Sequence, residues 1–291
     1  MNGYAGFPLE SETSLWLQNL IYGQSGLLIK AKQAVFCGAS PFQKVEVFDT
    51  FSFGQVLCLG GTVVLSERDN EPYHEMIVHP AIMTHPDPKS VCIIGGGDGG
   101  CLREALRHQT IKDVVVVEID ALVKETVEKY LPDFAAGFAD ERVEVVIGDG
   151  CQYLREAGRK FDIIIVDSYD PGGPVRSLET ADFFSNASAA LNESGITVLQ
   201  TDSPVIKANM IRQIVTDASC AFKHLRPYIC SQRTFPAGIC SFIMAVNNEK
   251  LYDGFNKERY ERIADACVYY NEEIHRGAFL LPQNIRKIMN G

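Results

Sequence analysis

The hydrophobic pattern changes character once along the chain. Up to about residue 65, short segments mix β-branched or aromatic residues with turn formers. Stretches 26–34, 42–50 and 54–59 read as strands, 62–65 adds another, and Gly38, Pro41, Gly60 and Gly61 punctuate them. These predict a small antiparallel β domain over residues 1–66, too small to be a catalytic unit alone. Residues 70–84 then carry apolar side chains at helical spacing, ended by Pro86 and Pro88. A regular alternation follows, with strands at 90–94, 114–119, 143–147 and 161–166 and helices at 102–108, 121–130 and 152–157. The strands are continuous apolar runs, such as Val114-Val115-Val116-Val117 and Ile163-Ile164-Ile165-Val166, as expected where both faces of a sheet are covered. A β–α repeat of this kind predicts an α/β fold with a parallel, doubly wound sheet. A helix at 180–191, a strand at 195–200, a helix at 206–221 and strands near 227–232 and 239–246 complete a second domain over residues 67–291.

Composition narrows the class. Of 291 residues, 46% are hydrophobic and 22% charged, as in a soluble globular enzyme. No run approaches ~20 uninterrupted apolar residues, so no transmembrane helix is expected, and residues 1–11 lack the basic and apolar regions of a secretory signal. The nine cysteines are scattered without a CxxC pair, which predicts reduced thiols in a cytoplasmic protein rather than a disulfide framework or a zinc site. A formal charge of −10 argues against nucleic acid as the main partner and suits cationic small molecules better.

The strand ends hold the candidate chemistry. Strand 90–94 runs into Gly95-Gly96-Gly97-Asp98-Gly99-Gly100 and then a helix, a turn that lets a ligand approach the main chain. Glu118, before Ile119 and Asp120, closes the next strand, where an acid can bind both hydroxyls of a ribose. Asp149, in Gly148-Asp149-Gly150, closes the third, placed to accept a hydrogen bond from an adenine amino group. Each has a plainer reading, as turn glycines or helix caps, but three such features at successive strand ends point to a nucleoside. Asp98 would repel a pyrophosphate at the helix N-terminus, which favours adenosine without phosphate.

The fourth strand ends in Asp167-Ser168-Tyr169-Asp170-Pro171. Asp98, Asp167 and Asp170 are expected to converge, and clustered carboxylates are costly unless cations compensate. No lysine or arginine stands in these motifs, so the ligand is expected to bring the positive charge. That favours decarboxylated S-adenosylmethionine, which has an ammonium but no carboxylate, over S-adenosylmethionine itself. A diamine acceptor is also cationic, with an amine pKa near ~10.4, and needs a base; Asp167 is the candidate. The leaving thioether needs no acid, and no metal or prosthetic group is called for.

Together these motifs resemble those of the spermidine synthases. So do Glu67-Arg68-Asp69 with Tyr73-His74-Glu75-Met76, and the tail from Tyr269-Tyr270-Asn271 through His275, Phe279 and Leu281-Pro282. The likeness runs from about Leu15 to the end of the chain, with the motifs in the family's order. It implies a methyltransferase-like Rossmann domain behind the small β domain, and assembly as a homodimer or homotetramer. It assigns Gln43, His74, Gly95, Gly97, Asp98, Glu118, Ile119, Asp149 and Gly150 to the nucleoside co-substrate. Asp167 becomes the base, and Tyr73, Asp98, Asp167, Asp170 and Gln200 hold the amine, with putrescine as the expected acceptor. The sequence departs from the family at Phe235, where a tyrosine is usual between Thr234 and Pro236, at Tyr169, where Ser or Thr is usual, at Gly60, where the usual motif is Leu-Asp-Gly, and at Val64, in place of a glutamine. Phe235 and Tyr169 border the acceptor, so cadaverine, agmatine or spermidine are alternatives to putrescine. Amine N-methylation and non-catalytic polyamine or nucleoside binding are the competing functions.

Overall fold

The computed structural model describes residues 15–21, 25–168 and 178–289; Tyr169 and Asp170 of the sequence reading lie outside these. The first part is a five-stranded antiparallel meander: β1 (Leu15–Ile21), β2 (Ser25–Ala39), β3 (Lys44–Thr50), β4 (Gly54–Leu59) and β5 (Thr62–Ser66). The pattern of alternation missed β1, and β2 runs five residues past the expected end at Ala34. Its pairing with β3 shifts register between Ala31 and Gln33 and again between Ala34 and Phe36, and such irregularities blur the two-residue period.

Helix α1 (Glu71–Thr84) leads into a seven-stranded sheet built from β6 (Ser90–Gly95), β7 (Asp113–Glu118), β8 (Val143–Ile147), β9 (Phe161–Asp167), β10 (Leu191–Gln200), β11 (His224–Ser231) and β12 (Ile239–Val246), in the order β11-β12-β10-β9-β6-β7-β8. The intervening helices are α2 (Gly100–Leu106), α3 (Ala121–Tyr130), the short α4 (Pro132–Ala135), α5 (Gly150–Glu156), α6 (Ala181–Ala189) and α7 (Ala208–Ser219), followed by α8 (Lys257–Glu261), α9 (Glu272–Gly277) and α10 (Gln283–Met289). The sheet is parallel from β10 to β8, but β12 runs antiparallel to both neighbours. The short link from β11 to β12 is hairpin-like, whereas a parallel return needs a crossover. The expected helix at 180–191 stops at Ala189, because Leu191 already pairs with Phe161 in the sheet.

The continuous apolar runs bury both sheet faces. On β6, Val91 and Ile93 join the core under α1 and α2, while Cys92 and Ile94 join the core under α6 and α7. Strand β9 divides the same way, Ile163 and Ile165 against Ile164 and Val166. The meander docks through Val45, Val47, Leu57 and Leu65 against Val123 and Val127 of α3. This contact carries the loop before β3 toward the carboxyl ends of the central strands, where open α/β sheets bind ligands.

Candidate active site

At the sheet's switch point, β6 passes into the glycine turn and β9 ends beside it. Gly95 has φ +83°, and a β-carbon there would overlap the Asp167 carbonyl oxygen. Its glycine therefore serves strand approach rather than open ligand access. Gly96 N–H donates to that same carbonyl at 3.1 Å, locking the two strand ends together. A β-carbon at Gly97 would come within 2.7 Å of Glu118 Oε2, so the turn lies directly on the acid of the next strand.

Glu118 is 8% exposed and accepts from Gly97 N–H at 3.0 Å and from Asp120 N–H at 2.8 Å. Burial pushes its carboxyl up to about 7, against the two backbone donors that favour its charge. Ile119 beside it is half-buried. Asp120 caps α3 and also accepts from the Ser40 hydroxyl at 2.7 Å and from Gln43 Nε2 at 3.1 Å. Gln43 thus reaches the turn after β7 through Asp120. Asp149 is exposed and caps α5 by accepting from Gln152 N–H at 2.8 Å, while Gly150 is buried tightly against Ile94.

Of the three acids expected to converge, Asp98 and Asp167 do so and Asp170 lies outside the described residues: one side-chain N or O atom from each of His74, Asp98 and Asp167 lies within 4.8 Å of the others. Asp98 Oδ1 accepts from Gly100 N–H at 2.8 Å, and Oδ2 lies 3.4 Å from His74 Nε2. Burial alone would raise the Asp98 carboxyl, but the His74 charge and the Gly100 donor hold it below the ordinary aspartate value. His74 is 1% exposed, and burial works against its charge, yet Asp98 raises its pKa overall. Asp167 accepts from the Tyr73 hydroxyl at 2.5 Å on Oδ1 and from the Cys101 thiol at 3.0 Å on Oδ2. Burial and then the Asp98 charge lift Asp167 above the ordinary value, with His74, Tyr73 and Cys101 pulling the other way.

Two features differ from the sequence reading. His74, which the resemblance assigns to the nucleoside, stands inside the cluster beside Asp98, and a proton on its imidazole favours the charge of both acids. Cys101 was not singled out at all, although a thiol directly after the glycine turn, one turn from the acids, is a signal that could have been read. Gln200 closes β10 at 7% exposure. With its amide assigned by its neighbours, it donates to the Ser168 carbonyl and accepts from Asp202 N–H, both at 3.2 Å. Asp202 in turn pairs with Lys207 at 2.6 Å.

The quoted outer motifs turn out to be anchors. Asp69 accepts from Thr234 N–H, the Thr234 hydroxyl and Arg233 Nε, and so holds the segment that carries Phe235. Glu75 is fully buried and accepts from the backbone N–H groups of Val268, Tyr269 and Tyr270, tying the C-terminal tail to α1. Glu75, His79 and Cys267 also lie close enough together to hold a metal. Both Glu75 oxygens are already committed to these amides, however, and His79 Nε2 lies 3.3 Å from Glu104.

A spermine/spermidine synthase domain is matched over residues 70–253, and a spermidine synthase tetramerisation domain over residues 15–67. The polyamine aminopropyltransferase of Thermoanaerobacter sp. (strain X514) is 40% identical over 90% of this chain and 94% of its own. The chain belongs to the spermine/spermidine synthase family. As a family member it is an aminopropyltransferase. The polyamine aminopropyltransferase of Methanocaldococcus jannaschii is 37% identical over 91% of this chain and 92% of its own. Among solved structures, a spermidine synthase in complex with the transition-state analogue AdoDATO superposes with a TM-score of 0.92 at 34% identity, covering 96% of both chains. Spermidine synthase from Thermotoga maritima superposes with a TM-score of 0.90 at 34% identity, covering 96% of this chain and 95% of that one. The expected fold class, an α/β Rossmann-like sheet behind an antiparallel N-terminal sheet, is that of these spermidine synthases.

Proposed function

We propose that this aminopropyltransferase moves the aminopropyl group of decarboxylated S-adenosylmethionine to putrescine, giving spermidine and 5'-methylthioadenosine. The observation that carries this reading is the meeting of Asp98 and Asp167 beside the glycine turn, two acids at adjoining strand ends suited to a cationic co-substrate and acceptor. In this reading Glu118 binds the ribose, Asp149 the adenine, Gln43 and His74 border the nucleoside, and Gly95, Gly97, Ile119 and Gly150 shape its cradle. Asp98 receives the ammonium of the aminopropyl arm. Tyr73, Asp167, Gln200 and Asp170 hold the amine.

The reaction asks little else of the protein. A neutral amine nitrogen forms a bond to the methylene carbon next to the sulfonium. The carbon–sulfur bond breaks, its electron pair stays on sulfur, and the amine proton passes to Asp167. A free aspartate is a weak base for this task, so burial and the Asp98 charge, which raise Asp167, move it in the useful direction. Alignment and electrostatics supply the rest.

The match to a tetramerisation domain and the outward row of Trp16, Leu20 and Leu28 on β1 and β2 support homo-oligomeric assembly. No described helix is long and apolar enough to cross a membrane, and a cytoplasmic location belongs to this reading. Mass spectrometry of products from each donor against a panel of amines tests the assignment. Spermidine from decarboxylated donor and putrescine is the expected product. Methylated amines would replace the reading with N-methylation, and a larger product would move the acceptor to another amine.

A further inference from the structure

Cys101 occupies the first turn of α2, immediately after Gly100, and its side chain has no solvent exposure. Its thiol donates to Asp167 Oδ2 at 3.0 Å, while the Tyr73 hydroxyl donates to Oδ1 at 2.5 Å. Each oxygen of Asp167 therefore has one neutral donor, from a different element. Burial, with the charges of Asp167 and Asp98, pushes the ionisation of the thiol well above its usual range, so the donor proton stays in place at working pH. A neutral donor fixes the plane of a carboxylate and favours its charged form modestly. A lysine or arginine in the same place would favour the charge far more and strip the group of its basicity.

We propose that Cys101 is a positioning residue for aminopropyl transfer: its S–H holds Asp167 Oδ2 while the Tyr73 hydroxyl holds Oδ1, and these two neutral donors fix the plane of the base. His74, beside Asp98, favours the charged carboxylate through space in every Cys101 variant, so a difference between the variants reports the thiol. The proposal rests on the reading of Asp167 as the base in the reaction above. A thiol is a weak donor, so the effect is moderate by design.

Cys101→Ala and Cys101→Ser, assayed as full-length protein with decarboxylated S-adenosylmethionine and putrescine across pH, test it. Cys101→Ala is expected to lower kcat about threefold to tenfold and to move the acidic limb of kcat/KM upward by roughly half a unit to one unit, because the ionised carboxylate has lost a donor. The KM for the nucleoside donor is expected to stay within about twofold, as a general packing defect would not. Cys101→Ser keeps a donor and is expected to restore the limb. An unmoved limb in Cys101→Ala, or equal displacement in both variants, overturns the proposal. The S–H stretching band that Cys101→Ala removes supplies a readout free of turnover: it is expected at the low frequency of a bonded thiol and to rise in Asp167→Asn. A band at the frequency of an unbonded thiol also overturns the proposal. Were the wild-type protein to transfer no aminopropyl group to any amine, the reaction assignment would fail, and the infrared band would still decide whether the thiol holds Asp167.

Discussion

Asp167 combines a raised proton affinity with a fixed orientation, and its neighbours explain both. Burial and then the Asp98 charge supply the first, and Tyr73 and Cys101 the second. Asp167→Asn keeps the shape and removes the proposed base, so turnover is expected to fall by roughly 10²–10⁴ with an unchanged melting curve. Near-normal turnover would take Asp167 out of the role. The His74–Asp98 pair has its own pH signature. His74 is raised in the folded state, so its contribution to stability is complete below its unfolded value of 6.5 and fades as pH rises through the folded one. Asp98 is lowered, so its contribution is present above 3.8 and is lost as pH falls through its folded value. A double-mutant cycle with His74→Gln and Asp98→Asn is expected to show a coupling of about 1–3 kcal/mol near pH 5–6, declining toward alkaline pH. A coupling that grew with pH would contradict the pairing. Phe235 packs half-buried against the same core as Tyr73. If the missing phenol limits the reaction, Phe235→Tyr raises turnover with putrescine, and an unchanged rate would point to a pocket shaped for another amine.

Among the elements, the glycine turn between β6 and α2 was legible as a strand-to-helix turn, but the reason for its glycines was not. Spacing shows where the chain must bend; only the neighbouring strand shows that Gly95 lies on the Asp167 carbonyl and Gly97 on Glu118. Gly97→Ala is accordingly expected to displace the Glu118 carboxylate and to raise the nucleoside KM about tenfold, with the fold retained by circular dichroism. An unaltered KM would separate Glu118 from ribose binding. The central strands were legible because burial on both faces leaves an uninterrupted apolar run. Strand β1 was not, since Asn19 is buried amid its apolar residues and donates to the Thr234 carbonyl at 2.9 Å, a partner far along the chain. The direction of β12 also escaped, because an apolar run records burial and not strand polarity.

For the molecule as a whole, Asp69 and Glu75 fasten distant segments around α1. Glu75 lies with no exposure under three amides of the tail. Glu75→Ala leaves those donors without a partner, and urea unfolding is expected to show a loss of about 3–5 kcal/mol. A loss under about 1 kcal/mol would mean that the tail docks by its apolar contacts alone. The amino-acid order determined the α/β alternation, the switch to a parallel sheet and the acids at successive strand ends, since each of these is written in a local period or a local turn. It thereby determined which carboxylates would lie along one rim, because a doubly wound sheet delivers its strand ends there. The partners of those carboxylates were decided by tertiary structure. Tyr73 and Cys101 stand 94 and 66 residues from Asp167 in sequence, and only folding brings their protons to its oxygens. A carboxylate's basicity depends on burial and on charges a few ångströms away, and those distances exist only once the chain has packed.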